Sequence, residues 1–141
     1  MSNLNAFLAT NAKSVGTIKG VVSSRFVDEN GKPIEWEFRA LTAEEDELLR
    51  KQYLGDGYKI KGDKVVVEPD SVGYMTSLLC KSVVFPDLMN AELQDSYGVQ
   101  TPEDLIKTML LAGEFNKAQE LSKKANEAVS LDELQKEVKN V

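Results

Sequence analysis

Residues able to do acid–base, nucleophilic or metal chemistry are scarce in this chain. Histidine is absent from all 141 residues, so no imidazole can act as a general base or a metal ligand. The single cysteine, Cys80, lies within an apolar helical pattern and has no histidine to activate it as a nucleophile. We therefore predict that Cys80 is a small buried side chain, which is the usual state of a free cysteine.

Two arrangements with acidic residues superficially resemble a catalytic or a metal-binding site. Residues 44–47 carry four consecutive carboxylates, but side chains on one helical turn point in different directions, so we interpret them as an acidic first turn. Asp28, Asn30 and Gly31 partly match a calcium loop, yet glycine stands at position four instead of six, which favours a simple turn. The glycines form no phosphate-binding motif. The sequence predicts no catalytic residue, no cofactor and no metal.

Composition and charge narrow the class of protein. Apolar residues make up 42% and charged residues 28% of the chain, which is typical of one folded domain. A net charge of −6 argues against nucleic acid and anionic membranes as partners, because both attract basic surfaces. No apolar run approaches the roughly 20 residues of a membrane span, and the first ten residues lack signal-peptide features. We expect a cytoplasmic protein.

A β-hairpin is predicted near the start of the chain. Residues 21–27 and 34–40 alternate in side-chain type on either side of an Asn-Gly turn, and the second run separates apolar from charged positions cleanly. We expect Ile34, Trp36 and Phe38 to face the core, with Glu35 and Glu37 in water.

A second, smaller hairpin is predicted between residues 58 and 67. Gly62-Asp63 suits a type II′ turn, which would pair Ile60 with Val65 and residue 58 with residue 67.

The element between the hairpins is predicted to be a helix. Thr42 and Glu45 form a capping box at its start. Leu48, Leu49 and Tyr53 are expected to face the core, and the glycines at positions 55 and 57 are expected to end the helix.

The rest of the chain is predicted to be helical, with N-caps at Asp70 or Ser71, Asn90, Thr101 and Ser130. Pro86, Gly98 and Gly113 are expected to end or bend helices. The predicted apolar stripes are Val72, Met75, Leu79 and Val83; Leu105, Ile106, Met109 and Leu110; Phe115, Ala118, Leu121 and Ala125; and Leu131, Leu134 and Val138.

These elements predict an α+β fold, with N-terminal β-hairpins followed by a mostly α-helical bundle. We divide the single domain into a hairpin region (15–68), a helical region (70–129) and a peripheral C-terminal helix (130–141). The stripes beyond Gly113 are narrow, and we weigh light docking and partner binding equally for them.

Three blocks of sequence resemble the tail assembly chaperones of phages and prophages of Gram-positive bacteria. The first block is residues 25–37 (RFVDENGKPIEWE) with residues 40–46 (ALTAEED). The second is residues 84–88 (VFPDL) with residues 90–99 (NAELQDSYGV), and the third is residues 107–110 (KTML) with residues 113–115 (GEF). The three blocks occur in one order, which makes the resemblance more specific than any block alone.

The resemblance implies a non-enzymatic role in the host cytoplasm. Such chaperones bind the tape measure protein, keep its apolar helices soluble and help tail tube protein polymerise around it. A coat along an extended client needs many weakly bound copies, so a homo-oligomer is expected. The expected partner-binding residues are Glu92, Leu93, Gln94, Asp95, Tyr97, Leu131, Leu134 and Val138.

Two alternatives remain open from the sequence. A small structural tail or connector subunit of the virion would share the size and the lack of chemistry. A hydrolase using acidic residues would need a concave pocket with a perturbed carboxylate pair.

Overall fold

A computed structural model describes residues 3–55, 58–67 and 69–127, and it confirms the predicted α+β class. A short 3₁₀ turn at Asn3–Phe7 comes first, and a π-helical turn at Lys51–Gly55 extends the first helix. The strands are β1 (Ile18–Val21), β2 (Glu35–Phe38), β3 (Tyr58–Lys61), β4 (Lys64–Val67) and β5 (Val83–Phe85). The helices are α1 (Ala43–Arg50), α2 (Ser71–Ser82), α3 (Ala91–Ser96), α4 (Pro102–Met109) and α5 (Ala112–Asn126).

The main sheet is antiparallel, in the order β1-β2-β5. The predicted hairpin is present, but its first strand is Ile18–Val21 and not residues 21–27; Ile18 pairs with Phe38 and Val21 pairs with Glu35. The turn over residues 28–33 is as predicted. Asp28 accepts hydrogen bonds from the backbone N–H groups of Asn30 at 2.8 Å and Lys32 at 3.0 Å, so its carboxylate organises a turn.

Tertiary hydrogen bonds explain why residues 22–26 leave the strand ladder, whereas Val27 forms an isolated antiparallel bridge with Pro33. The Ser23 hydroxyl donates to the Glu114 carboxylate, and Arg25 donates both to that carboxylate and, at 2.8 Å, to the carbonyl oxygen of Met109. These bonds connect the segment to the junction between α4 and α5, a contact that local alternation cannot reveal.

The buried face of β2 is largely the predicted one. Trp36 and Phe38 are buried and Glu35 is exposed, as expected. Ile34, however, lies just before the strand and is 37% exposed, so its assignment to the core was wrong. Glu37 is half-buried instead of fully in water, because it accepts a 2.5 Å hydrogen bond from the Thr17 hydroxyl.

Helix α5 packs directly against the sheet, so its stripe belongs to the core. Ala118 and Ala125 are completely buried, and their small side chains allow a close approach. A Cβ added at Gly20 of β1 would lie 2.9 Å from the Leu121 methyl groups, which shows how tight this contact is. The core joins the sheet to α2, α4 and α5.

The buried residues of helix α2 and the position of its C-terminal end both differ from the prediction. Leu79 is buried, but Val72 and Met75 are exposed. The buried face consists mainly of small residues whose hydroxyl groups have partners: Ser77 donates to Tyr53 at 2.7 Å, and Ser82 donates to the carbonyl oxygen of Arg39 at 2.7 Å. Apolar periodicity misses such a face because the residues are polar in sequence and satisfied only after folding.

The helix also ends at Ser82 and not at Pro86, because Val83–Phe85 forms strand β5. This strand pairs with β2, with Val83 opposite Phe38 and Phe85 opposite Glu37. A three-residue apolar run is ambiguous in sequence, and the open edge of β2 decides its conformation.

The other helix boundaries are close to prediction. The Thr42–Glu45 capping box, the Asp70, Asn90 and Thr101 N-caps and the positive φ of Gly98 are confirmed. Leu49 is buried as expected, but Leu48 is exposed. The break expected at Gly113 falls earlier, since α4 ends at Met109 and α5 begins at Ala112.

The small hairpin has the predicted pairing of residue 58 with 67 and 60 with 65. Gly62 has a φ of +65° while Asp63 does not have a positive φ, which agrees with a type II′ turn. Position 57 and the predicted helix over 130–141 lie outside the described residues.

A candidate partner-binding groove

Cys80, the one strong nucleophile type in the chain, is placed where it cannot react readily. The side chain is buried in α2. Burial, and to a smaller extent the nearby Glu103 carboxylate, raise the pKa of the Cys80 thiol to about 12. The thiolate is the reactive form, so Cys80 is a structural residue, as predicted.

The acidic first turn of α1 is engaged in ion pairs instead of forming a carboxylate pair. Arg39 donates to both oxygens of Glu45, at 3.0 and 2.7 Å, and the N–H of Thr42 donates at 2.9 Å. These bonds, Arg39 first, lower the pKa of Glu45 to about 2. Asp46 accepts from Tyr74 and from Arg50, and both bonds lower the pKa of Asp46.

A similar cluster joins the loop after β1 to α5. Glu114 accepts hydrogen bonds from Arg25, from the Ser23 hydroxyl and from the N–H of Leu111, in that order of effect, and its pKa falls to about 2. Within the described residues, no group of three or more His, Cys, Asp or Glu side chains is arranged to hold a metal ion. The hydrogen bonds of Glu114 connect the loop after β1 to α5, and those of Glu45 connect Arg39 to α1.

The predicted partner-binding residues on α3 divide into two sets. Glu92 and Asp95 are exposed. Leu93 and Tyr97 pack against the core, and Gln94 is buried with its amide donating to the carbonyl oxygen of Leu88 at 2.8 Å. Leu131, Leu134 and Val138 lie outside the described residues. Of the five predicted residues on α3, Glu92 and Asp95 are therefore the two that are exposed.

A groove of about 820 Å³ lies between the start of α1, the outer face of α2 and the C-terminal half of α5. Its apolar surface comes mainly from Leu41, Met75 and Leu78. Met75 is 50% exposed, so it presents apolar surface to the groove. The volume lies within the range of ligand-binding clefts.

Polar groups line both rims of the groove. On one side, Arg50 pairs with Asp46 at 2.8 Å and lies over the Tyr74 ring at 5.2 Å from its centroid. On the other side lie Glu120, Lys123 and Asn126 of α5, together with Glu127, which follows the helix. Asn126 accepts a 2.7 Å hydrogen bond from the N–H of Leu41, which ties the two sides together at one end. The groove therefore has an apolar floor, ordered walls and charges of both signs.

Sequence analysis missed this groove. Periodicity assigns Met75 to a stripe that faces the core, and Leu78 lies outside the predicted stripe of α2. One sequence signal could have indicated an exposed apolar surface: α2 has more apolar residues than one buried helix face needs. Only the packing of α1 and α5 on α2 separates the covered positions from the open ones.

Residues 4–141 match the model of the Phage XkdN-like tail assembly chaperone protein family. The chain belongs to this family. Two relatives from Bacillus subtilis (strain 168) are each 28% identical to the chain. The uncharacterized protein YqbN aligns over 140 residues, covering 95% of this chain and 93% of its own length. The phage-like element PBSX protein XkdN aligns over 144 residues, covering 98% and 94%.

The crystal structure of the protein YqbN has the same fold as this family member. The TM-score is 0.75 at 21% identity, with 89% of this chain and 97% of that chain covered. Membership confirms the resemblance seen in the three sequence blocks and places the protein in phage tail assembly. No helix in the described part of the chain is long and apolar enough to cross a membrane.

Proposed function

We propose that this protein is a non-enzymatic chaperone that binds the tape measure protein, keeps it soluble and promotes polymerisation of the tail tube protein around it. The observation that carries the proposal is the match of residues 4–141 to the tail assembly chaperone family. Binding takes place in the host cytoplasm, before the tail is complete.

The groove between α1, α2 and α5 supplies a surface suited to such a client. An amphipathic helix binds a groove by placing apolar side chains at positions i, i+3, i+4 and i+7 against its floor. Leu41, Met75 and Leu78 offer that floor, and the charges on both rims can pair with the polar flanks of the helix. The surface thereby covers apolar helical segments that would otherwise associate with one another.

A second contact lies on α3. Leu93, Gln94 and Tyr97 hold this short helix on the core, and Glu92 and Asp95 face outward. We assign the two carboxylates to polar contact with the tail proteins or with another copy of the chaperone. Many copies, each bound weakly, would then coat an extended client through avidity.

Co-expression tests the proposal directly. The tape measure protein from the same phage should remain soluble and co-purify when the chaperone is present, and should precipitate when it is absent. Met75→Glu places a charge on the groove floor and should reduce co-purification about tenfold. Leu111→Glu is the matched control, because Leu111 is 63% exposed and lies outside the groove.

Equal co-purification by the two variants would exclude the groove as the client site. Failure of the wild-type chaperone to hold the tape measure protein in solution would contradict the proposed function itself. Mass spectrometry of purified particles provides a separate test: a chaperone should be absent from them, whereas a stoichiometric amount would indicate a structural tail subunit.

A further inference from the structure

The described chain ends at the rim of the groove. Asn126, the last residue of α5, and Glu127, which follows it, both line the groove. Glu127 has extended backbone angles, with φ of −72° and ψ of 132°, so the chain leaves the helix axis there. The point at which the chain continues into residues 128–141 is therefore beside the groove.

The sequence of those 14 residues suits that surface. Leu131, Leu134 and Val138 follow the i, i+3, i+7 spacing by which a helix anchors in a groove. Ser130 and Glu133 have the spacing of a capping box, which favours a helix start independent of α5. The segment carries both acidic and basic side chains, as do the rims of the groove.

The connection has the length needed for the segment to fold back. Three residues separate Glu127 from Leu131, which allows at most about 14 Å between their Cα atoms. Antiparallel helices are commonly joined by loops of about 2–5 residues. Because the segment is tethered at the groove, its local concentration is in the millimolar range, far above that of a second copy at micromolar protein.

We infer that residues 128–141 bind the groove of their own chain, with Leu131, Leu134 and Val138 against Met75 and Leu78. The free chaperone then covers its apolar groove with its own C-terminal segment, which limits unproductive association before a client is present. Where the groove is also the client site, which rests on the proposed function, a client helix must displace this segment.

Disulfide trapping in the full chain, without any client, tests the inference. Two variants pair a groove position with the segment: Met75→Cys with Leu134→Cys, and Met75→Cys with Leu131→Cys. Cysteines at two positions of the segment, 131 and 134, are tested because a disulfide needs Cα atoms about 4.4–6.8 Å apart. One of the two pairs should still meet this requirement if the segment is shifted along the groove by about one helical turn. The control joins Leu111→Cys to Leu134→Cys, because Leu111 is exposed at the opposite end of α5.

Each protein is held at low micromolar concentration with a mild oxidant, and disulfides are identified by mass spectrometry after proteolysis. Wild-type protein, whose only cysteine is the buried Cys80, gives the background. At least one groove pair should form an intramolecular disulfide about tenfold faster than the control pair, and should do so at a rate independent of protein concentration.

Two results would overturn the inference. Rates equal to the control in both groove pairs would mean that the segment does not occupy the groove. Predominantly intermolecular disulfides, increasing with concentration, would assign the groove to the segment of a second copy. Neither result depends on tape measure binding, so failure here is distinguishable from failure of the proposed function.

Discussion

Replacing Trp36 by alanine should destabilise the fold much more than the same truncation at Ile34. The two side chains lie two residues apart and were predicted to share one buried face, but Trp36 is only 2% exposed while Ile34 is 37% exposed. Trp36 also stacks near Phe38, with ring centroids 6.4 Å apart. The difference in burial therefore becomes a difference in the free energy of unfolding.

The expected magnitudes follow from burial. Removing a buried tryptophan side chain costs about 3–5 kcal/mol, because apolar contacts are lost and a cavity remains. The exposed Ile34 should cost about 1 kcal/mol, near the average for point mutations. With a denaturant slope of about 2 kcal/mol per molar urea, the midpoint should fall by about 2 M for Trp36→Ala and about 0.5 M for Ile34→Ala.

Urea unfolding followed by far-UV circular dichroism measures both shifts. Trp36 is the only tryptophan, so its fluorescence cannot report on this variant. Since domains have only about 5–15 kcal/mol of stability, Trp36→Phe serves as a milder substitution in case Trp36→Ala does not fold. Equal midpoint shifts for the alanine variants at positions 36 and 34 would refute the register of β2 described above.

Two further predictions concern titratable groups. The Arg39–Glu45 ion pair lowers the pKa of Glu45 from 4.5 to about 2, so its stabilisation is complete above about pH 4.5 and is lost as the pH falls toward 2. Glu45→Gln should flatten the loss of stability in that interval relative to Glu44→Gln, which removes one charge from the same turn; identical acid-unfolding curves would contradict this. Cys80, with a pKa near 12, should react with a maleimide at pH 7.5 only at the rate of global unfolding, and labelling that is unaffected by low urea would show an exposed thiol instead.

Local chemistry in the sequence determined much of this protein. The caps at Thr42, Asn90 and Thr101, the Asn-Gly turn before β2 and the type II′ turn at Gly62 follow from hydrogen bonds and φ angles that involve only neighbouring residues. For the same reason, the α+β class could be predicted from sequence. The blocks of family resemblance also lie in the sequence itself, and they point to phage tail assembly without any information on geometry.

Tertiary packing alone decided the rest. Strand β5 exists because β2 has an open edge. Residues 22–26 leave the ladder because Ser23 and Arg25 bind Glu114, which is about 90 residues away in the chain. The presence of the groove is likewise decided by tertiary packing. Met75 and Leu79 are equivalent in helical periodicity, yet Leu79 is covered and Met75 is open. A periodic pattern states which side chains share a face, but only the positions of α1 and α5 determine how much of that face they cover.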